Sequence, residues 1–230
     1  MALGKVVVVG GTGDEGFGLA ARWASAGIEV VIGSRDKGRA EEAATRLREA
    51  VPDANVSGAE NATAVADARV VVVTVPFSGQ AAIYKSIAEH VASEAVVVDC
   101  TVPVGAAVGG KVGHVLGVWE GSAAQQAQGI LPKGTTLCAA FHTLAAVALG
   151  DLATAMEGDV LACGPKAGKP AVKELVEAIP NLGYVDAGPL ENARIVEPIT
   201  ALLIGINRRY DTDRAGIAIT GLPEAPPPSA

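Results

Sequence analysis

Lys5-Val6-Val7-Val8-Val9 runs straight into Gly10-Gly11-Thr12-Gly13-Asp14-Glu15-Gly16, and that junction constrains the chain more than anything after it. A short β-branched apolar run suits a strand buried on both faces of a parallel sheet. Gly11, Gly13 and Gly16 fit G-x-G-x-x-G. In that pattern the first glycine permits a tight turn, the second lets backbone approach a pyrophosphate, and the third lets the next helix pack closely on the strand. A helix over Gly16 to Ala26 would aim its unpaired amides and positive dipole end at the phosphates. With 28 glycines in the chain, the motif alone says little. Its setting says more, because a second apolar run, Glu29-Val30-Val31-Ile32, completes a βαβ unit of the expected length. The junction reads as a dinucleotide site, with an empty structural turn as the other reading.

The end of the second strand bears on which dinucleotide. An NAD site usually presents an acidic residue there for the ribose 2'-hydroxyl, whereas an NADP site presents a small polar residue and arginine for the 2'-phosphate. This strand ends in Gly33-Ser34-Arg35, and Arg39 follows one helical turn on. Two guanidiniums and a hydroxyl suit a phosphate, each charge-assisted bond contributing roughly 1.5–3 kcal/mol. NADP is the expected cofactor. On the bland reading, the arginines decorate a solvated helix beside Asp36, Glu41 and Glu42.

A net charge of -7 and only 3% aromatic residues argue against a nucleic-acid binder, which needs a basic face or stacking side chains. Cys100, Cys138 and Cys163 are widely spaced and form no C-x-x-C, so neither a metal site nor a disulfide framework is expected. A cytoplasmic protein is the simplest reading. The first strand starts within a few residues of the N-terminus, leaving no room for a signal peptide, and no uncharged apolar run is long enough to span a bilayer.

The rest of the chain alternates strand-like and helix-like segments. Strands are expected near Val56, over Arg69–Val75, Ala95–Asp99, Gly134–Phe141, Asp159–Cys163 and Tyr184–Asp186, giving about eight in one sheet, with Gly216–Ile219 as a further edge. Helices are expected over 36–50, 61–68, 79–91, 122–129 and 169–179, and a long apolar one over 190–209 that Pro198 should kink. Gly105 to Gly121 is glycine-rich and reads as a loop. The fold class is therefore α/β: a doubly wound, mostly parallel Rossmann-like sheet with a C-terminal helical segment closing the substrate cleft. Residues 1–222 read as one domain and 223–230 as a disordered Pro-rich tail.

Later motifs narrow the field. Gly16-Phe17-Gly18-Leu19-Ala20, Ile32-Gly33-Ser34-Arg35, Thr74-Val75-Pro76, Val102-Pro103, Phe141-His142-Thr143 and Asp186-Ala187-Gly188-Pro189-Leu190 together with the glycine loop resemble the NADPH-dependent reductases of coenzyme F420. The resemblance implies reversible hydride transfer between carbon 4 of the nicotinamide and carbon 5 of a deazaflavin. Two stacked rings at about 3–3.5 Å matter more for such a step than an acid or base. It also implies NADP contacts at Thr12, Gly13, Asp14 and Glu15 and at Ser34, Arg35 and Arg39, with Val75, Gly79, Val102 and Ala146 lining the path to the nicotinamide. The deazaflavin would lie near Pro76, Phe77, Pro103, His142, Thr143 and Leu144, closed by Ala215. His142 is either an orienting group for that ring or a structural residue.

Two departures from the family pattern stand out. Leu144-Ala145-Ala146 replaces Ile-Pro-Ala after His-Thr, and Phe77 replaces a frequent Trp. Asp186 and Arg194 are expected to pair and hold the C-terminal helix, while Arg208, Arg209 and Arg214 either attract the acidic coenzyme tail or complete a helix end. Two competing functions remain: an NADPH-dependent reductase of small ketones, imines or hydroxy acids, which would need a proton donor, and a non-catalytic NADP sensor. The apolar C-terminal helix makes a homodimer the expected assembly.

Overall fold

Val6 to Val9 are completely buried, and their place at the centre of a parallel sheet explains it. The computed structural model describes residues 3–111 and 113–223. The first half runs β1 (Val6–Val9), α1 (Asp14–Ser25), β2 (Val30–Ser34), α2 (Lys37–Ala50), β3 (Val56–Glu60), α3 (Asn61–Val65), β4 (Val70–Val73), α4 (Phe77–Ile87) and β5 (Val96–Asp99). The second half runs α5 (Ala123–Ile130), β6 (Thr136–Ala139), α6 (Ala146–Gly150), β7 (Gly158–Ala162), α7 (Lys169–Glu177), β8 (Leu182–Asp186), α8 (Ala193–Val196) and α9 (Ile199–Tyr210). Residues 224–230 of the expected tail lie outside the described residues.

Six strands form one all-parallel sheet in the order β3-β2-β1-β4-β5-β6. That order reverses direction beside β1, the place where a doubly wound sheet leaves a crevice beyond its strand ends. Side chains alternate between the faces as the pleat requires. Val6, Val8, Ile32 and Val72 join Leu19, Trp23 and Leu175 in one core. Val7, Val9, Val71 and Val97 join Ile83, Tyr84 and Ile87 in the other. Trp23 ties its layer together by donating from Nε1 to the Leu175 carbonyl at 2.9 Å and meeting Phe141 edge-on.

The expected single sheet of about eight strands is divided. Eight strands form, but β7 and β8 make a separate parallel pair, joined to β6 only through an antiparallel bridge between Ala139 and Cys163. Gly216–Ile219 is extended but adds no strand: the Ile217 carbonyl accepts from the Asp159 amide, and the Ile219 amide donates to the Asp159 carboxylate. Around Pro198 the expected long helix breaks outright into α8 and α9, since proline supplies no amide for the helical ladder.

Candidate functional site

The turn after β1 is tight because of its glycines. Gly10 takes a left-handed φ of 86°, and a Cβ there would come 2.8 Å from Val75 Cγ1. The positive φ thus falls one residue before the first glycine of the motif. A Cβ on Gly16 would sit 2.3 Å from Thr74 Oγ1 and 2.8 Å from the Gly10 carbonyl, so the third glycine lets α1 touch β4. Gly13 caps α1 with no side-chain bond to the first-turn amides. Those amides and the dipole behind them suit an anion electrostatically.

Asp14 and Glu15 occupy that first turn, where acid and phosphate would repel each other. Glu15 avoids the conflict at neutral pH. Although the residue keeps some exposure, its carboxyl is enclosed; burial, helped by the nearby charge of Asp99, pushes its pKa up to about 8. A protonated Glu15 can donate a hydrogen bond to an anion rather than oppose it.

A cavity of about 340 Å³ opens beyond the ends of β1, β2 and β4, lined among others by Thr12, Gly13, Ser34, Arg35, Arg39 and Val75. Asp36 caps α2 by accepting from the Arg39 amide, which aligns Arg35 and Arg39 on one turn. Neither guanidinium joins an ion pair among the described residues, although Lys37 and Glu41 of the same helix do pair. Two exposed arginines with no carboxylate partner are free to meet an added anion.

A second cavity, of about 230 Å³, brings Thr143, Leu144 and Ala215 together with Met156 and Arg214. Its floor is held by Arg22, a buried arginine of α1 that donates to the carbonyls of Ala148, Leu149, Asp151 and Thr154. His142 stands at its edge in sequence, following Phe141, whose left-handed φ of 69° turns the chain out of β6. The imidazole is buried, neither ring nitrogen has a partner among the described residues, and burial pushes its pKa down to about 4. It is therefore neutral, with one donor and one acceptor unused. Pro76 lines the first cavity, whereas Asp14, Glu15, Phe77, Gly79, Val102, Pro103, His142 and Ala146 line neither.

Beyond β5 lies a buried polar network that the sequence did not reveal. Asp99, at the end of β5, accepts from Tyr84 at 2.6 Å, Gln80 at 3.0 Å and the Thr101 amide at 2.8 Å. Burial pushes its carboxyl up to about 6 against those bonds. Thr101 in turn donates weakly to the Val75 carbonyl at 3.4 Å, tying the exits of β4 and β5. Glu197, fully buried, accepts from the Ala123 and Ala124 amides at 2.8 and 3.0 Å and so caps α5 from a distant segment. Desolvation raises its pKa to about 7. Only a polar residue inside an apolar helical pattern marks Glu197 or Gln80 in the sequence, and that pattern fits exposed positions equally well.

One expected pairing is corrected. Asp186 pairs with Lys169, and Arg194 Nε donates to the Glu191 carbonyl, so each finds a closer partner than the other. Arg214, read as attracting the coenzyme tail or completing a helix end, pairs with Asp151 beside the second cavity.

Strand order, glycine turn and unpaired arginines define a Rossmann protein built to hold a phosphorylated dinucleotide. The family model described as "NADP oxidoreductase coenzyme F420-dependent" matches residues 5–103. The F420-dependent NADP reductase of Methanothermobacter thermautotrophicus is 43% identical over 224 residues, 96% of each chain. That of Methanocaldococcus jannaschii is 36% identical, covering 95% of this chain and 99% of its own. The chain belongs to the F420-dependent NADP reductase family. A crystal structure of a candidate F420-dependent NADP reductase from Arthrobacter superposes with a TM-score of 0.77 over 96% of this chain and 100% of its own, at 23% identity, which speaks for the fold.

Proposed function

We propose that this protein is an oxidoreductase that reversibly transfers a hydride between NADPH and the deazaflavin coenzyme F420. The observation that carries the NADP half is the pair of unpartnered guanidiniums, Arg35 and Arg39, beside buried Ser34 at the cavity rim. They hold the 2'-phosphate, while the amides of Thr12 to Glu15 hold the pyrophosphate. Val75, Gly79, Val102 and Ala146 line the path to the nicotinamide. Pro76, Phe77, Pro103, His142, Thr143, Leu144 and Ala215 form the deazaflavin side, for which the second cavity and the two unused nitrogens of His142 are the support.

When bound together, the two coenzymes would supply the chemistry, a hydride passing from one carbon to another, with the proton that completes the reduced deazaflavin drawn from water. What the chain contributes is position. Asp99, through Thr101 and Val75, fixes the exits of β4 and β5 relative to each other. Thr200 donates to the His142 carbonyl at 2.7 Å, fixing α9 against the turn that carries the imidazole. Such restraint keeps two rings near the distance at which hydride transfer proceeds.

Replacing both Arg35 and Arg39 by alanine tests the NADP half. NADP affinity should fall roughly 10- to 100-fold with the loss of two charge-assisted bonds, while NAD turnover stays near its original level. Unchanged NADP affinity refutes the assignment.

Residues 1–222 act as one domain in this reading. A second copy of the chain covers the exposed apolar side of α8 and α9, where Ile195 and Leu202 are about two-thirds exposed (65% and 63%). Light scattering should therefore give twice the chain mass, and a monomer at micromolar concentration contradicts it. Among the described residues no helix is long and apolar enough to cross a membrane, and all three cysteines are free and buried. A reducing cytoplasm is the compartment this favours.

A further inference from the structure

Asn61 opens α3 directly after β3, at the carboxyl edge of the sheet where the first cavity lies. It lines that cavity, is 2% exposed, and its Oδ1 has no hydrogen-bond partner among the described residues. A buried carbonyl left unpaired is costly. A binding site can retain such an atom because a ligand donor completes it.

The neighbouring backbone leaves this atom its space. A Cβ on Gly33 would come 2.9 Å from Asn61 Oδ1, so any larger residue at the end of β2 would displace the amide. The cavity itself divides by chemistry. Ser34, Arg35 and Arg39 make a polar, cationic mouth, and Val75, Pro76 and Ile83 make an apolar wall. A phosphate belongs at the mouth and a flat heteroaromatic ring against the wall. In an adenosine 2'-phosphate the ring offers one strong donor on its edge, the 6-amino group.

We propose that Asn61 Oδ1 accepts a hydrogen bond from the adenine 6-amino group and selects the purine of the dinucleotide. This rests on the NADP reading and adds a second discriminating contact, to the base rather than the phosphate. Sites built to hydrogen-bond a ligand group discriminate strongly against analogues that lack it, because the buried partner is then left unpaired.

The test is calorimetric titration of the full chain with adenosine 2',5'-bisphosphate and with inosine 2',5'-bisphosphate, which carries a carbonyl in place of the amine. The wild type should bind the adenosine compound about tenfold more tightly, about 1.4 kcal/mol. Asn61→Leu should lose that preference by weakening the adenosine compound alone. Asn61→Asp keeps an acceptor and cannot present an amide donor, so it should keep the preference or enlarge it. Equal weakening of both ligands in Asn61→Leu would place the contact on the ribose and overturn the proposal. So would loss of the preference in Asn61→Asp, which serves if the leucine variant does not fold. If the wild type binds neither bisphosphate, the NADP reading itself fails; binding of both without preference sinks the Asn61 assignment alone.

Discussion

Glu15 shows how one side chain can stand beside the proposed phosphate site without opposing an anion. Its carboxyl titrates near 8 because desolvation, with the charge of Asp99 adding to it, disfavours the anion. Below that value the group is neutral and tolerates a pyrophosphate; as pH rises through it, a negative charge appears in the first turn of α1 and opposes the ligand. NADP affinity should accordingly weaken several-fold between about pH 7 and 9. Glu15→Gln should match the wild type at pH 7 and remain flat above it, as isothermal titration across that range would show. A wild-type profile that is flat or rises with pH contradicts this account. The glycines and the Ser34-Arg35 turn were legible because their chemistry is local. The charge state of Glu15 was not, since it depends first on burial by the folded chain and then on Asp99, which the pairing of β1 with β4 and of β4 with β5 brings close.

At the scale of elements, β1, β2, β4 and β5 were readable from their valine runs, while β3 and β6, which carry none, were placed only roughly. What could not be read was membership. Gly158–Ala162 and Leu182–Asp186 look like further parallel strands, yet they pair with each other, because a buried strand has the same composition whichever sheet holds it. A kink at Pro198 was expected, whereas the helix divides there, and the use made of that division was not legible. The residue just before it, Glu197, turns back to cap α5, coupling the C-terminal helices to the β5 side of the cleft. Removing that carboxylate strips two buried amides of their acceptor. Glu197→Ala should therefore cost roughly 2–3 kcal/mol in a denaturant titration. An unchanged midpoint would show that the cap contributes nothing to stability.

Across the whole molecule, one cavity lies at the exits of β1, β2 and β4, rimmed by Arg35 and Arg39, and a second lies among the segments around Thr143, Met156 and Ala215. The first half of that arrangement follows from the opening forty residues. The second half draws on segments far apart in the chain, Thr143, Met156 and Ala215, which no local pattern links. The family resemblance, rather than periodicity, pointed to Thr143 and Ala215, and nothing in the sequence pointed to Met156. In the proposed function these two halves bring a nicotinamide and a deazaflavin into contact. The decisive experiment is anaerobic mixing of the purified protein with NADPH and oxidised coenzyme F420, followed by the deazaflavin absorbance. Rapid bleaching with NADPH and much slower bleaching with NADH is the expected result. Binding of NADPH with no bleaching at all would contradict it and direct attention to the reduction of a small carbonyl compound instead.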